Sequence, residues 1–222
     1  MAAYLRARSF TPLLLPVLLA LPGSHAAAHP STPPEQPLES SQPTIMCTGV
    51  AKQDDLLLQA AIASLPAGSE LKILGECEVS KTVVLAGGRS YVGGGRTTVI
   101  KQAAGANLGA VVASDSWVAN AHTCGTPLRL SHIAINGNRD ANTRGHGLVL
   151  HSWLSVIEDV EVSNAPQDGI RVTSVGSDNS TVITNSQVNS RLTNLFITDS
   201  GGGTPPSLPL SLSLSLSLSL SL

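Results

Sequence analysis

The chain has 222 residues, a formal net charge of −2 and an aromatic content of 3%. Because it has no cluster of Lys or Arg, nucleic acid and anionic membrane surfaces are excluded as expected partners. The scarcity of aromatic side chains also argues against a stacking platform for single-stranded nucleic acid.

The beginning of the chain predicts secretion. Residues 1–26 contain Arg6 and Arg8, then an apolar run broken by prolines, then small residues. This is the pattern of a signal peptide, and the run is too short and interrupted for an uncleaved anchor to be the better interpretation. We expect an extracellular or cell-wall protein with no membrane contact after cleavage. Residues 27–46, rich in Pro, Ser, Glu and Gln, predict a disordered linker before a domain over 47–203.

The three cysteines cannot all pair within one chain. In a secreted protein they tend to oxidise, and Cys47 and Cys77 flank the first predicted helix and strand, so this pair is favoured. Cys124 remains. The cysteine spacing indicates no zinc site, the acidic residues are too scattered for a calcium site, and no cofactor is expected.

A helix is predicted over 54–65. Its first turn is acidic, as the helix dipole favours, and Pro66 ends it. The helix has one apolar stripe, with which it can cover the end of a stack of strands. From Glu70 onward the pattern changes to short strands separated by glycine turns, including one at 93–95.

Two segments, 146–152 and 168–174, correspond position by position at an offset of 22 residues. Each has a polar residue, a glycine and then alternating apolar positions. Such a repeat is typical of a parallel β-helix, in which each coil buries its apolar face against its neighbours. The offset predicts that His146 and Asp168 lie on successive coils, about 4.8 Å apart along the stack.

Three further strand units, 130–135, 157–162 and 192–197, share the spacing apolar–x–x–apolar–x–apolar. A leucine-rich repeat is the alternative, and 130–138 fits its consensus fully. The units are 27 and then 35 residues apart, however, and a second strand lies in each interval, where a leucine-rich repeat has a helix or an irregular turn. The β-helix is therefore favoured.

The longer interval predicts a projecting loop over 176–188. It contains the sequon Asn179-Ser180-Thr181, a candidate glycan acceptor. Residues 204–222 are mostly alternating Ser and Leu. This alternation nominally predicts an edge strand. A two-residue repeat is also what a dinucleotide tract in coding DNA would give, and in that case the series of coils is truncated here.

One stretch carries the pattern of a known family. It combines the helix residues Leu58-Gln59-Ala60-Ala61-Ile62, the turn residues Pro66 and Gly68, and the segment Gly93-Gly94-Gly95-Arg96 before Thr98-Val99-Ile100. In these features the chain resembles the pectate-lyase-like right-handed β-helix superfamily, over about 47–203. Its leader and linker are similar to those of a plant secreted protein.

The resemblance implies an all-β fold, a right-handed single-stranded parallel β-helix with a short N-terminal capping helix. It implies a pectin-like cell-wall or extracellular polysaccharide as partner. The superfamily includes lyases, hydrolases and non-catalytic members. A polysaccharide lyase, a glycoside hydrolase, a non-catalytic glycan-binding or structural solenoid and an inactive truncated product therefore all stay open.

Candidate site residues come from the repeats. Gly145-His146-Gly147 matches the G-H-G motif of polygalacturonases, but the paired aspartates that precede the motif in that family are absent. His146 and Asp168 are the candidate catalytic pair, with a polar turn ladder as the alternative.

Strand alternation predicts three outward rows: Ala134 with Glu161 and Phe196, Val149 with Arg171, and His151 with Thr173. Because charged and polar groups on these rows could face a sugar chain, the candidate substrate-binding residues are Glu161, Arg171 and His151. A solvated surface is the alternative.

Overall fold

The structure, a computed structural model, describes residues 42–123, 125–180 and 189–201. The predicted signal peptide, most of the predicted linker, Cys124 and the Ser-Leu segment lie outside the described residues. Within the described ranges, no helix has the length and apolar character needed to cross a membrane.

The described residues form two helices and twelve strands. The helices are α1 (Ala51–Ser64) and α2 (Asp115–Val118). The strands in chain order are β1 (Thr44–Met46), β2 (Glu70–Leu74), β3 (Glu76–Val79), β4 (Val83–Leu85), β5 (Ser90–Gln102), β6 (Ala110–Ser114), β7 (Arg129–Asn136), β8 (His146–Leu150), β9 (Val156–Ser163), β10 (Ile170–Val172), β11 (Arg191–Thr193) and β12 (Phe196–Thr198).

All of the strands pair in parallel, in two sheets. The larger sheet has the order β1-β2-β5-β7-β9-β11, with β3 on β5 and β12 on β9, and the smaller sheet has the order β4-β6-β8-β10. From β3 to β11 the chain alternates between the two sheets, and each return adds a strand beside the previous one. The fold is therefore all-β with stacked parallel strands, as the sequence predicts.

The core consists of aliphatic side chains at alternate strand positions. Leu130 and Ile135 of β7 are fully buried, and so are Leu148 and Leu150 of β8 in the other sheet, all within one cluster. Burial of each such side chain stabilises the fold by roughly 1.5–3 kcal/mol. Residue 148 also pairs with Ile170, so the 22-residue offset correctly predicts the register of β8 and β10.

The offset is not a constant period. In the smaller sheet Val83 pairs with Val112, Val112 with Leu148, and Leu148 with Ile170. The intervals are thus 29, 36 and 22 residues. Strand pairing fixes the stacking of the coils, while the connections between strands vary in length.

Helix α1 begins three residues before the predicted start, and its acidic residues do more than complement the helix dipole. The carboxylate of Asp54 is fully buried and accepts hydrogen bonds from the backbone N–H groups of Thr48, Gly49 and Glu78 at 2.8, 3.0 and 3.0 Å. Asp55 accepts from the backbone of β3's end and the turn that follows. These bonds fix the helix to the first strands.

The disulfide joins Cys47 to Cys77, the pair favoured from the sequence, with a Cα–Cα distance of 4.9 Å. The predicted disorder of 27–46 is wrong at its end. Thr44–Met46 forms β1, which pairs with β2, and Ile45 is buried. The hydrophobic Ile45 and the nearby disulfide give this segment contacts that its Pro-rich neighbours lack.

The glycines at 93–95 do not form a turn between two strands, as predicted, but lie inside β5. Gly95 pairs with Ile133 and Val99 with Ala134, so three residues of β5 bulge out between these pairs. A Cβ on Gly93 would lie 2.3 Å from the carbonyl oxygen of His132. Glycine is required there because the two backbones approach closely.

Candidate functional site

A groove of about 240 Å³ lies on the outward side of the larger sheet, where β5, β7, β9 and β12 are neighbours. Its floor is apolar, and charged, polar and aromatic side chains border it. The lining residues are Gly95, Arg96, His132, Ile133, Ala134, Asp159, Val160, Glu161, Asn194 and Phe196.

One border of the groove is a row of residues with left-handed backbone conformation. His132, Asp159 and Asn194 have φ values of 56°, 52° and 51°. Pairs of Ser131 with Glu158 and of Ile133 with Val160 flank the first two, so they stack on adjacent strands. His, Asp and Asn are the side chains that most readily accept this conformation. Each strand therefore bends at this row.

The other border is the outward row predicted from alternation. Ala134 pairs with Glu161, and Glu161 pairs with Phe196. This prediction is confirmed. The small Ala134 leaves space in the groove between the larger side chains of the neighbouring strands.

Two ion pairs cross the groove region. His132 Nδ1 lies 3.3 Å from Asp159 Oδ2, with both side chains about half exposed. Arg96 Nε lies 3.0 Å from Glu161 Oε2, and the guanidinium carbon lies 5.7 Å from the centroid of the Phe196 ring. The groove thus combines carboxylates, an imidazole, a guanidinium and an aromatic face.

His146 and Asp168 are stacked, as predicted, but on the smaller sheet. His146 Nδ1 lies 3.2 Å from Asp168 Oδ2, and Nε2 lies 3.1 Å from Arg171 Nη1. A neutral imidazole with its proton on Nδ1 satisfies both contacts, because it donates to the carboxylate and accepts from the guanidinium. Burial lowers the pKa of His146 from 6.5, with Asp168 opposing and Arg171 reinforcing this effect.

The structure does not bring together the three candidate substrate-binding residues. Glu161 borders the groove on β9, whereas Arg171 is on β10 in the smaller sheet and is engaged with His146. His151, at the end of β8, has no exposed surface, and the expectation that it faces a ligand is corrected.

The reason is a cover over the smaller sheet. Ala113 and Val149 point outward from β6 and β8, and Trp117 of α2 packs on both, so this outward face is buried. Ser116 of the same helix donates a hydrogen bond to the backbone oxygen of His151 at 2.6 Å. Alternation correctly predicts which side these residues face, but not the helix that covers them.

The candidate glycan acceptor Asn179 is exposed and lies in a turn, where its backbone N–H bonds to the oxygen of Gly176 at 3.1 Å. Thr181 of the sequon lies outside the described residues, as does most of the predicted 176–188 loop.

Arg96, His132 and Asp159 were missed as candidates. The available signal was the third position of the units Leu130-Ser-His-Ile, Ile157-Glu-Asp-Val and Leu192-Thr-Asn-Leu, which always holds a side chain suited to a left-handed bend. Arg96 had no such signal, because the bulge that presents it resembles a turn.

The described residues contain no group of three or more His, Cys, Asp or Glu side chains arranged to hold a metal ion. Comparisons with family models, with curated proteins and with solved structures find no match to this chain.

Proposed function

We propose that this chain is a secreted right-handed parallel β-helix that binds polysaccharide in the groove of its larger sheet. The observation that carries the proposal is the alignment of ligand-type side chains across adjacent strands. Arg96, His132, Glu161 and Phe196 come from β5, β7, β9 and β12, and all line one groove.

The strand order supports the β-helix. The chain alternates between two parallel sheets and returns each time to the neighbouring position. Connections between parallel strands of one sheet are right-handed in about 98% of cases. The resemblance of 54–100 to the pectate-lyase-like superfamily agrees with this architecture, and the sequence of residues 1–26 is the basis for secretion.

The chemistry of the groove suits a sugar chain. Carboxylates and an imidazole hydrogen-bond hydroxyl groups, and an aromatic face accepts the apolar face of a ring. Neighbouring strands are about 4.8 Å apart, so the rows present a regular series of contacts along the stack. A repeating linear polymer fits such a series better than a single compact ligand does.

Cleavage of the polysaccharide is a second candidate, favoured by the presence of Asp159, Glu161 and His132 in the same groove. In hydrolysis, one carboxylic acid protonates the glycosidic oxygen as its bond to carbon breaks. The other group takes a proton from the water whose oxygen forms the new bond.

Binding is tested by co-sedimentation of the full chain with insoluble pectin, xylan and cellulose, and by calorimetry with soluble oligosaccharides. Phe196→Ala is the test variant, and we expect it to weaken binding about 10-fold, since an aromatic contact contributes on the order of 1 kcal/mol or more. Arg129→Gln is the matched control, because Arg129 lies on the same sheet but outside the groove.

The same samples separate the two candidates. Release of new reducing ends by the wild type and its loss in Asp159→Asn, with binding retained, favours the hydrolase. Release of unsaturated ends favours a lyase. Binding without any cleavage favours the non-catalytic protein, and absence of binding to all polysaccharides contradicts the proposal.

A further inference from the structure

Arg96 occupies an unusual position in the groove. It lies in the three-residue bulge of β5, between the residues that pair with Ile133 and Ala134. From there its side chain extends over β7, where Ala134 leaves room, and reaches Glu161 on β9 and Phe196 on β12. A side chain of one strand therefore contacts residues on the second and third strands beyond it.

In the free protein these contacts occupy the groups that a ligand would use. Glu161 Oε2 lies 3.0 Å from Arg96 Nε, so the guanidinium already has an anionic partner. The guanidinium also faces the Phe196 ring at 5.7 Å. Both the cation and the aromatic face of the groove are engaged.

The contact is easily exchanged. The Arg96 side chain is 79% exposed and that of Glu161 is 27% exposed, and ion pairs of this exposure stabilise a protein little. A guanidinium forms strong, paired hydrogen bonds with a carboxylate. A carboxylate on the ligand can therefore replace that of Glu161 at small cost, whereas a neutral sugar has no group with which to compete.

We propose that Arg96 is the specificity-determining residue of the groove and selects acidic saccharides, with Glu161 holding its guanidinium until a ligand carboxylate replaces it. This inference rests on the proposed polysaccharide-binding function. It assigns opposite roles to the two members of one ion pair, because Arg96 favours the acidic ligand and Glu161 competes with it.

The experiment measures the affinity of the full chain for a uronic-acid oligosaccharide and for the methyl ester of the same oligosaccharide, by calorimetry at one ionic strength. The variants are Arg96→Gln, Glu161→Gln and Arg129→Gln. Arg129 is the control, since it forms an exposed ion pair with Glu158 at 2.8 Å between the same two strands, β7 and β9, but outside the groove. Thermal unfolding of each variant verifies that it is folded.

We expect the wild type to bind the acid about 10-fold more tightly than the ester, the equivalent of one close charge interaction. Arg96→Gln should bring this ratio close to one, with binding of the ester unchanged or tighter because the Phe196 face is uncovered. Glu161→Gln should increase the ratio, and Arg129→Gln should leave it unchanged.

A ratio that persists in Arg96→Gln while both saccharides still bind overturns the role of Arg96 and leaves the proposed function intact. A fall in the ratio in Glu161→Gln overturns the competing role of Glu161. If the wild type binds neither saccharide nor any polysaccharide, the proposed function fails and the inference fails with it.

Discussion

The outward faces of the two sheets differ although both are built from the same kind of parallel strand. On the smaller sheet Ala113 and Val149 are covered by Trp117 and are fully buried. On the larger sheet Ala134 and Glu161 border an open groove. The same alternation of side chains therefore produces a second core on one face and a candidate binding surface on the other.

The difference arises from the connections rather than from the strands. The segment between β6 and β7 contains α2 and packs onto the smaller sheet, whereas on the larger sheet β7 and β9 bend at His132 and Asp159 without a covering segment. A strand pattern fixes which side a residue faces, but a connection decides whether that side reaches solvent.

The largest expected contrast comes from one substitution placed on both faces. Ala113→Gln buries a polar amide and overfills the space beneath Trp117, so we expect it to lower the free energy of unfolding by about 2–4 kcal/mol. Ala134→Gln, at the groove, should lower it by less than about 1 kcal/mol. Equal losses in chemical denaturation would contradict the distinction between the faces.

The bend row gives a second contrast. Asn194 has φ of 51°, and a β-branched side chain disfavours this conformation strongly. Asn194→Val should be about 1–2 kcal/mol less stable than Asn194→Gly. Urea denaturation of the two variants provides the measurement, and equal stability would show that the bend is not required.

A third contrast concerns pH and the two histidine–aspartate pairs. The folded-state pKa of His146 lies below 6.5 because the ring is buried, so the unfolded chain binds more protons as the pH falls below 6.5. The stability that comes from neutral His146 is thus complete above pH 6.5 and is lost as the pH decreases toward the folded-state pKa. Protonation also sets Nε2 against the Arg171 guanidinium.

Unfolding free energies measured from pH 7.5 down to 5 test this expectation. The His146→Asn variant should lack this component of the pH dependence, and His132→Asn, which alters the exposed pair of the groove, should retain it. A decrease in stability that is the same in the wild type and in His146→Asn would contradict the assignment.

The smallest effect is expected for Arg129→Gln. The ion pair of Arg129 with Glu158 is short, at 2.8 Å, but both side chains are substantially exposed. We expect a change of less than about 0.5 kcal/mol in the free energy of unfolding. A loss above about 1 kcal/mol in thermal or chemical unfolding would mean that the larger sheet depends on its surface charges.

Much of the fold is predictable from local patterns. The offset of 22 residues gives the pairing of β8 with β10, and strand alternation gives the row of Ala134, Glu161 and Phe196. Both follow from strand geometry, which has a fixed period of two. The pairing of Cys47 with Cys77 is likewise suggested by their positions around the first helix and strand.

The candidate site is less predictable because it depends on irregular features. Arg96 reaches the groove through a bulge that resembles a glycine turn in the sequence. His151 appears outward by alternation, yet a connection without periodicity buries it. The sequence therefore predicts the side on which each residue lies, whereas bulges and connections determine which of these residues form a site.

The most direct test of the central claim is a map of ligand protection. Backbone hydrogen exchange is measured for the full chain with and without a polysaccharide that it binds. We predict that added protection centres on 132–134, 159–161 and 194–196, at the groove of the larger sheet, with little change over 146–151. Protection centred on 146–151, or on the turns around His146 and Asp168, would contradict the assignment of the groove as the binding site.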